Sequence, residues 1–271
     1  AVVYPTYGER QKNEAIAALA TLIKKHGVEH IAIGNGTASR ETEQMAVEMI
    51  RALGGGVSYM MVNEAGASVY SASKLAAEEF PEYDVNLRSA VSIARRMQDP
   101  LAELVKIDPK AIGVGQYQHD MPEKELDAAL GGVVEDCVNS VGVDVNTASV
   151  SLLSYVAGIN TTVAKNIVAY REENGAFTTR AQLKKVPRLG PKAFEQCAGF
   201  LRIPGGKDLM ENTGVHPESY DAARALLKHF SLTPAEAVGK LLTLADAEGF
   251  AALAKQLNVG EPTLRDIAAE L

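Results

Sequence analysis

The chain has 271 residues, of which 46% are hydrophobic and 23% are charged, and its formal net charge is −7. This composition is typical of a globular protein of about two domains and excludes collagen-like, mucin-like and fully disordered chains. The sequence contains no long apolar run, no export signal and only two cysteines, so we expect no membrane span, no disulfide scaffold and a cytoplasmic location.

The first hundred residues alternate between strand and helix patterns. Short apolar runs predict strands at AVVYP (1–5), HIAIG (30–34) and VSYMMV (57–62), with the first strand near 2–4. Helical spacing predicts four helices between and after them, over 11–26, 39–53, 68–79 and 86–99. Residues 1–102 are therefore predicted to form a partial α/β domain with a small, mostly parallel sheet. We expect the sheet's other strands to lie outside this sequence.

After residue 103 the strand patterns vanish, and we expect only helices. A helix is predicted over 122–141, entered through Pro122, which suits a first helical turn. Further short helices are predicted, including 217–229 and 262–271. We divide this part into a helical linker (103–145), a central segment (146–203) and a C-terminal helical segment (204–271).

The charge is unevenly distributed along the chain. Residues 146–203 hold eight Lys and Arg against three Asp and Glu, a net charge of +5. Residues 1–102, 103–145 and 204–271 carry −2, −6 and −4. Because a polyanion responds to the local field more than to the net charge, the negative total does not exclude nucleic acid as a partner.

The basic segment contains two related units, each a helix, a glycine-bearing hairpin and a second helix. The hairpins are predicted at Ala157–Asn160 and at Val186–Gly190. Glycine allows a tight turn and close approach to a ligand, and the following helix N-terminus offers unpaired N–H groups to a phosphate. The candidate nucleic-acid-binding residues at and after the hairpins are Gly158, Ile159, Asn160, Lys165, Arg188, Leu189, Gly190 and Lys192.

This segment resembles the tandem helix-hairpin-helix module of DNA-binding and DNA-repair proteins. Two departures are visible. Asn160 replaces the second glycine that many such modules have in the first hairpin, and Pro187 and Arg188 precede Gly190 in the second. The alternative function for the pair is packing or protein docking.

Longer phrases resemble the Tex family of bacterial transcription accessory proteins. These phrases are IAIGNGTASRETE (31–43), NEAGASVYSAS (63–73), GVGQYQHD (113–120), CVNSVGVDVNTAS (137–149) and GEPTLRDIAAEL (260–271). The resemblance implies that residues 1–102 are part of a YqgF-type, RNase H-like domain and that 146–203 are a helix-hairpin-helix pair. It also implies an OB-fold RNA-binding domain beyond residue 271, and a transcriptional role with RNA or DNA as partner.

RNase H-like nucleases hold two metal ions with carboxylates near strand ends. Glu64 lies where one such acid is expected, but a structural role, capping or anchoring the loop 63–68, is favoured. Near the position of the last acid the sequence has Arg88, with Asp84 just outside and Asp99 further along as a solvated helix-end charge. We therefore expect no metal, no cofactor and no nuclease, although a metal-dependent nuclease stays an alternative.

Other polar residues allow two interpretations each. Asn35, Thr37, Ser39 and Arg40 could bind phosphate, but closing the loop and capping the helix at Ser39 is favoured.

His119 with Asp120 suggests acid–base chemistry, but a structural role is favoured, and Cys137 is expected in the core.

The favoured function is sequence-independent binding of the phosphate backbone. The acidic segments 103–145 and 204–271 leave docking on RNA polymerase as an alternative.

Overall fold

The small sheet of the N-terminal part is formed by two parallel strands, β1 (His30–Gly34) and β2 (Ser58–Val62). The structure, a computed structural model, describes residues 2–113, 115, 117–206 and 208–271. The chain divides into two units, Ala1–Pro122 and Glu123–Leu271. Both strands were predicted, and His30 pairs with Ser58 in register through to Gly34 with Val62. The prediction of an α/β domain followed by a mostly helical region is confirmed.

The strand predicted at AVVYP is wrong. Residues 2–8 form an irregular segment with a turn, in which the Tyr7 amide donates to the Tyr4 carbonyl at 3.4 Å. The side chains of Val2, Tyr4 and Tyr7 are 60%, 59% and 72% exposed. An apolar run becomes a strand only when another strand satisfies its backbone, and no described residue pairs with this one.

Strand β2 is largely exposed, and the described part of the first unit also contains six α-helices. They are α1 (Glu9–His26), α2 (Ser39–Leu53), α3 (Ala67–Ala72), α4 (Lys74–Glu79), α5 (Val85–Gln98) and α6 (Pro100–Leu104). The helix predicted over 68–79 is broken in two, because Ser73 is extended and its side chain caps α4 by accepting from the Ala76 amide at 3.1 Å. Helix α5 lies against both strands. Two 3-10 helices follow, Pro109–Ile112 and Gln118–Asp120.

The second unit is mostly helical. Its helices are α7 (Glu123–Val141), α8 (Val150–Leu153), α9 (Thr161–Asn174), α10 (Pro191–Cys197), α11 (Tyr220–His229), α12 (Pro234–Ala237), α13 (Leu241–Glu248), α14 (Phe250–Leu257) and α15 (Glu261–Glu270). Its 3-10 helices are Arg180–Lys185, Leu209–Asn212 and Pro217–Ser219. No helix in the described part of the chain is long and apolar enough to cross a membrane.

The expectation of helices alone after residue 103 is wrong at one place. Two-residue strands, β3 (Val143–Asp144) and β4 (Leu201–Arg202), pair in parallel. The Val143 amide donates to the Phe200 carbonyl at 2.8 Å, and the Val145 amide donates to that of Arg202 at 3.1 Å. This ladder brings together the two ends of the segment that contains both hairpins.

One apolar cluster holds the C-terminal helices together. Leu226, Leu241, Leu253 and Leu264 come from α11, α13, α14 and α15 and are fully buried in one cluster. Burial of leucine side chains of this size contributes roughly 1.5–3 kcal/mol each. Residues 204–271 therefore have a core of their own and do not depend on the hairpins for burial.

Candidate nucleic-acid interface

The first hairpin connects α8 to α9. Gly158 adopts a left-handed conformation (φ 77°), and the Ile159 amide donates to the Val156 carbonyl at 3.0 Å. Asn160 then caps α9, because its side-chain oxygen accepts from the Val163 amide at 3.0 Å. Asn160 has ordinary extended dihedral angles (φ −89°, ψ 169°), so this position does not require glycine.

The second hairpin repeats this geometry position by position. Arg188 is left-handed (φ 68°), as Gly158 is, and the Leu189 amide donates to the Val186 carbonyl at 3.2 Å. Gly190 precedes α10 as its N-cap with φ −75° and ψ 171°, close to the angles of Asn160. The two hairpins therefore have the same backbone shape although they share little sequence.

Matching backbone amides are left without acceptors in the two hairpins. Among the described residues, none accepts a hydrogen bond from the amides of Gly158 and Asn160, or from those of Arg188 and Gly190. The amides between them, on Ile159 and Leu189, are used inside the turns. Each hairpin thus offers two N–H groups at the start of a helix, where the helix dipole favours an anion.

Ile159 and Leu189 are each 5% exposed, so their side chains anchor the turns in the core. Neither residue can offer its side chain or its amide to a phosphate. Their contribution to the predicted site is therefore the shape of the hairpin.

The hairpins contact one another's helices. A Cβ atom on Gly158 would lie 2.7 Å from Cβ of Gln196 and 3.1 Å from the carbonyl oxygen of Ala193, both on α10. In return, Nδ2 of Asn166 on α9 donates to the Pro187 carbonyl at 2.7 Å. The two helix-hairpin-helix repeats therefore form one module. Gly158 is required by this packing as well as by its φ angle.

The predicted cations lie on the surface of this module. Lys165, Arg188 and Lys192 are exposed, and none takes part in an ion pair with another described residue. Lys184 and Lys185 are also exposed, and the Lys184 ammonium lies 4.6 Å from the Phe194 ring centre. These five side chains are therefore available to bind an anion.

The other three cations of the segment serve the structure. Arg171 donates to the Val145 carbonyl at 2.7 Å, and Arg202 donates to that of Gly199 at 2.6 Å. Arg180 is fully buried. The local charge counted from the sequence therefore overstates what reaches the surface.

Arg180 is the residue that sequence reasoning missed. Its guanidinium donates to the carbonyls of Ala198, Met210, Glu211, Thr213 and Val215, and it lies 3.6 Å from the Glu211 carboxylate. Burial lowers the pKa of Arg180 from its ordinary value. Nothing in the sequence distinguishes it from a surface arginine, because its partners are backbone atoms far along the chain.

A carboxylate borders each hairpin. A groove of about 500 Å³ beside the first hairpin is lined by Glu135 of α7 together with Gly158, Ile159 and Asn160. A cavity of about 530 Å³ beside the second is lined by Glu195, Glu211 and Glu218 together with Leu189 and Pro191. Glu135, Glu195 and Glu218 are exposed, whereas Glu211 is buried.

Glu64 in the first unit packs on Gly34, the last residue of β1, and on Gly36 just beyond it. A Cβ atom on Gly34 or Gly36 would overlap its carboxylate. Two side chains hold the backbone of the Glu64 loop. The side-chain oxygen of Asn35 accepts from the Glu64 amide at 3.1 Å. Nη1 of Arg96 donates to the Asn63 and Ala65 carbonyls at 2.7 and 2.9 Å. Sequence reasoning missed Arg96, which is 6% exposed.

The two other acids considered for a metal site, Asp84 and Asp99, cap helices. Asp84 accepts from the Leu87 amide at 2.8 Å at the start of α5, and Asp99 accepts from the Ala102 amide at 3.0 Å at the start of α6. Asp99 is exposed at a helix end, as expected, and it also caps α6. Arg88 donates to the Phe80 carbonyl at 3.1 Å. Within the described ranges, no group of three or more His, Cys, Asp or Glu is placed to hold a metal ion.

Two other expectations are wrong. Ser39 does not cap α2; the cap position is Ala38, in a left-handed conformation and without a side-chain hydrogen bond. Cys137 is exposed instead of buried, because Val138 is the buried residue of α7. His119 and Asp120 lie in the exposed 3-10 helix Gln118–Asp120, and their structural role stays a prediction.

Comparison with known families supports this geometry. The chain matches the Tex protein YqgF-like domain over residues 1–98, a helix-hairpin-helix motif over 138–202 and an HHH domain over 208–271. The second of these covers both hairpins. The third covers the C-terminal helices, where the sequence analysis predicted a helical segment.

Curated relatives match over nearly the whole chain. It is 56% identical over 262 residues to the transcriptional accessory protein Tex of Neisseria gonorrhoeae, which covers 96% of this chain and 34% of that protein. It is 55% identical over 272 residues to protein tex of Bordetella pertussis, covering 100% of this chain and 34% of that protein. Human S1 RNA-binding domain-containing protein 1 is 56% identical over 188 residues, or 68% of this chain and 19% of that protein. The chain spans about a third of the length of the two bacterial relatives.

Proposed function

We propose that this chain, which belongs to the Tex family of bacterial transcription accessory proteins, binds nucleic acids by gripping the phosphate backbone with its two hairpins. Membership of this family and the helix-hairpin-helix matches support nucleic-acid binding. The hairpins supply the phosphate-binding groups.

The observation that carries the proposal is the equivalence of the free amides. Gly158 and Asn160 in one hairpin correspond to Arg188 and Gly190 in the other, and each pair precedes a helix. Two hairpins that differ in sequence share this one functional feature. Packing alone would not require two matching pairs of unused N–H groups.

The chemistry of the interface favours backbone contact over base reading. Amides and ammonium or guanidinium groups bind phosphate oxygens, which are the same at every nucleotide. The buried side chains of Ile159 and Leu189 cannot reach base edges. We therefore expect sequence-independent binding with a dissociation constant of roughly 10⁻⁴ to 10⁻⁶ M, the range of non-specific complexes.

The test is a salt titration of binding with the 271-residue chain. The probes are duplex DNA, duplex RNA and the matching single strands, followed by fluorescence anisotropy between about 50 and 200 mM salt. The variant Lys165→Ala/Arg188→Ala/Lys192→Ala removes the three cations at the hairpins. We expect its affinity for every duplex to fall about tenfold or more, and its logarithmic salt slope to flatten by about one unit for each phosphate that is no longer neutralised.

The control is Lys24→Ala/Lys25→Ala/Lys255→Ala, which removes three other exposed lysines and changes the net charge equally. We expect this variant to keep the wild-type slope. If affinity and salt slope fall to the same extent in both variants, binding depends on net charge and the hairpins are not the phosphate-binding site. If neither variant changes binding, nucleic acid binds elsewhere and the module is a packing or docking unit.

A further inference from the structure

We infer that Asn139 and Asn166 are positioning residues that hold the two hairpins in their binding shape, an inference that rests on the proposed function. Each asparagine lies outside the hairpin it contacts. Asn139 belongs to α7 and reaches the first hairpin, whereas Asn166 belongs to α9 and reaches the second.

Asn139 binds the chain where it enters the first hairpin, at Tyr155 and Ala157. Its Oδ1 accepts from the Ala157 amide at 3.1 Å, and its Nδ2 donates to the Tyr155 carbonyl at 3.1 Å. The same Nδ2 donates to the Glu135 carbonyl at 2.8 Å inside α7, which fixes the direction of the side chain. The adjacent Val138 is fully buried, so the helix that carries Asn139 is itself anchored here.

Asn166 binds the second hairpin at the equivalent position. Pro187 corresponds to Ala157, and its carbonyl accepts from Nδ2 of Asn166 at 2.7 Å. Because proline has no N–H group, only the carbonyl is available to be held. The ring of Pro187 also fixes its φ angle, so one hydrogen bond and the ring together replace what two hydrogen bonds do in the first hairpin.

Asn139 at the first hairpin and Pro187 in the second limit which amides remain for a phosphate. At the Ala157 position the amide is used by Asn139, and at the Pro187 position none exists. The free N–H groups of each hairpin are therefore limited to the left-handed residue and the helix cap. Without the asparagine the turn is free to move, and it loses the fixed spacing of those two groups.

Neither asparagine carries a charge, so its removal separates positioning from phosphate contact. We expect Asn139→Ala and Asn166→Ala each to weaken binding to duplex DNA about fivefold, as the loss of one ordering hydrogen bond does, and the double variant to weaken it further. The logarithmic salt slope should stay at the wild-type value. The matched control is Asn174→Ala on α9, whose Nδ2 donates to the Tyr170 carbonyl at 3.0 Å away from either hairpin. We expect the control to change affinity by less than about twofold.

Amide hydrogen exchange of the free protein gives a readout that does not need nucleic acid. In Asn139→Ala the Ala157 amide should exchange faster, while amides of α14 and α15 keep their protection. Wild-type affinity in the double variant would overturn the inference, as would a flattened salt slope or unchanged exchange at Ala157. If the wild-type chain binds no nucleic acid, the proposed function fails, and the exchange measurement still decides whether Asn139 shapes the hairpin.

Discussion

Arg188 adopts a backbone conformation that only glycine takes without cost. Its φ of 68° matches that of Gly158, and an L-residue in this region is disfavoured by roughly 1–2 kcal/mol. Residues that retain such strain are concentrated at functional sites. The exposed, unpaired side chain of Arg188 is what a glycine at this position would lack.

We therefore expect Arg188→Gly to separate stability from binding. The free energy gained when the strain is relieved exceeds the entropic cost of ordering the more flexible glycine on folding. The free energy of unfolding should therefore rise by about 0.5 kcal/mol. Binding to duplex DNA should weaken, and its salt slope should flatten by about one unit. Urea unfolding and anisotropy titration measure the two effects.

The control for this variant is Asn258→Gly, because Asn258 is also left-handed, with φ 53°. It should change stability in the same direction and leave binding unaffected. Unaltered binding in Arg188→Gly would show that the arginine side chain does not touch phosphate.

At this scale the sequence predicted the exposed residues of the site better than the buried ones. The motif placed Gly158, Asn160 and Arg188 correctly in their turns. It could not identify Arg180 or Arg96 as buried, since burial of a cation depends on carbonyl groups that distant parts of the chain supply. The sequence around each arginine does not show where those carbonyls lie in the fold.

Elements were predictable where their own pattern decides the structure. The strands β1 and β2 and the helix α2 follow from local periodicity. The segment AVVYP and the ladder of β3 with β4 depend on partners elsewhere, and both were predicted wrongly. The break between α3 and α4 depends on a single serine that caps a new helix.

Arg180 joins two elements, the 3-10 helix Arg180–Lys185 and the turn region 208–215. We expect Arg180→Met to lower the free energy of unfolding by about 3–5 kcal/mol, because it leaves several buried carbonyls and the Glu211 carboxylate without their cation. Arg180→Lys should also destabilise strongly, since one ammonium cannot replace a planar group with five donors. Urea unfolding measures both variants.

The matched control is Arg224→Met, which removes an exposed arginine paired with Asp208 at 2.6 Å. An exposed pair of this kind contributes only about 0–1 kcal/mol. Equal losses in the Arg180 and Arg224 variants would contradict a structural role for the buried guanidinium.

At the scale of the whole molecule, a net charge of −7 coexists with a basic module, so the position of each charge matters more than the total. Glu135 and Glu195 are exposed carboxylates beside the first and the second hairpin, one on α7 and one on α10. Fields in solution are screened over about 10 Å at 0.1 M salt, so these two carboxylates oppose a phosphate at the hairpins more strongly than distant acids do.

We therefore expect Glu135→Gln/Glu195→Gln to bind duplex DNA several-fold more tightly than the wild type at low salt, with the gain shrinking as salt rises. The comparison is Asp246→Asn/Asp266→Asn, which removes two exposed acids from α13 and α15 and changes the net charge by the same amount. Anisotropy titrations of both variants at two salt concentrations decide between local field and net charge. Equal gains would assign the effect to net charge and would contradict the hairpins as the place where phosphate binds. A gain confined to the first variant would locate the bound phosphates beside Glu135 and Glu195, because screened repulsion acts only over that short range.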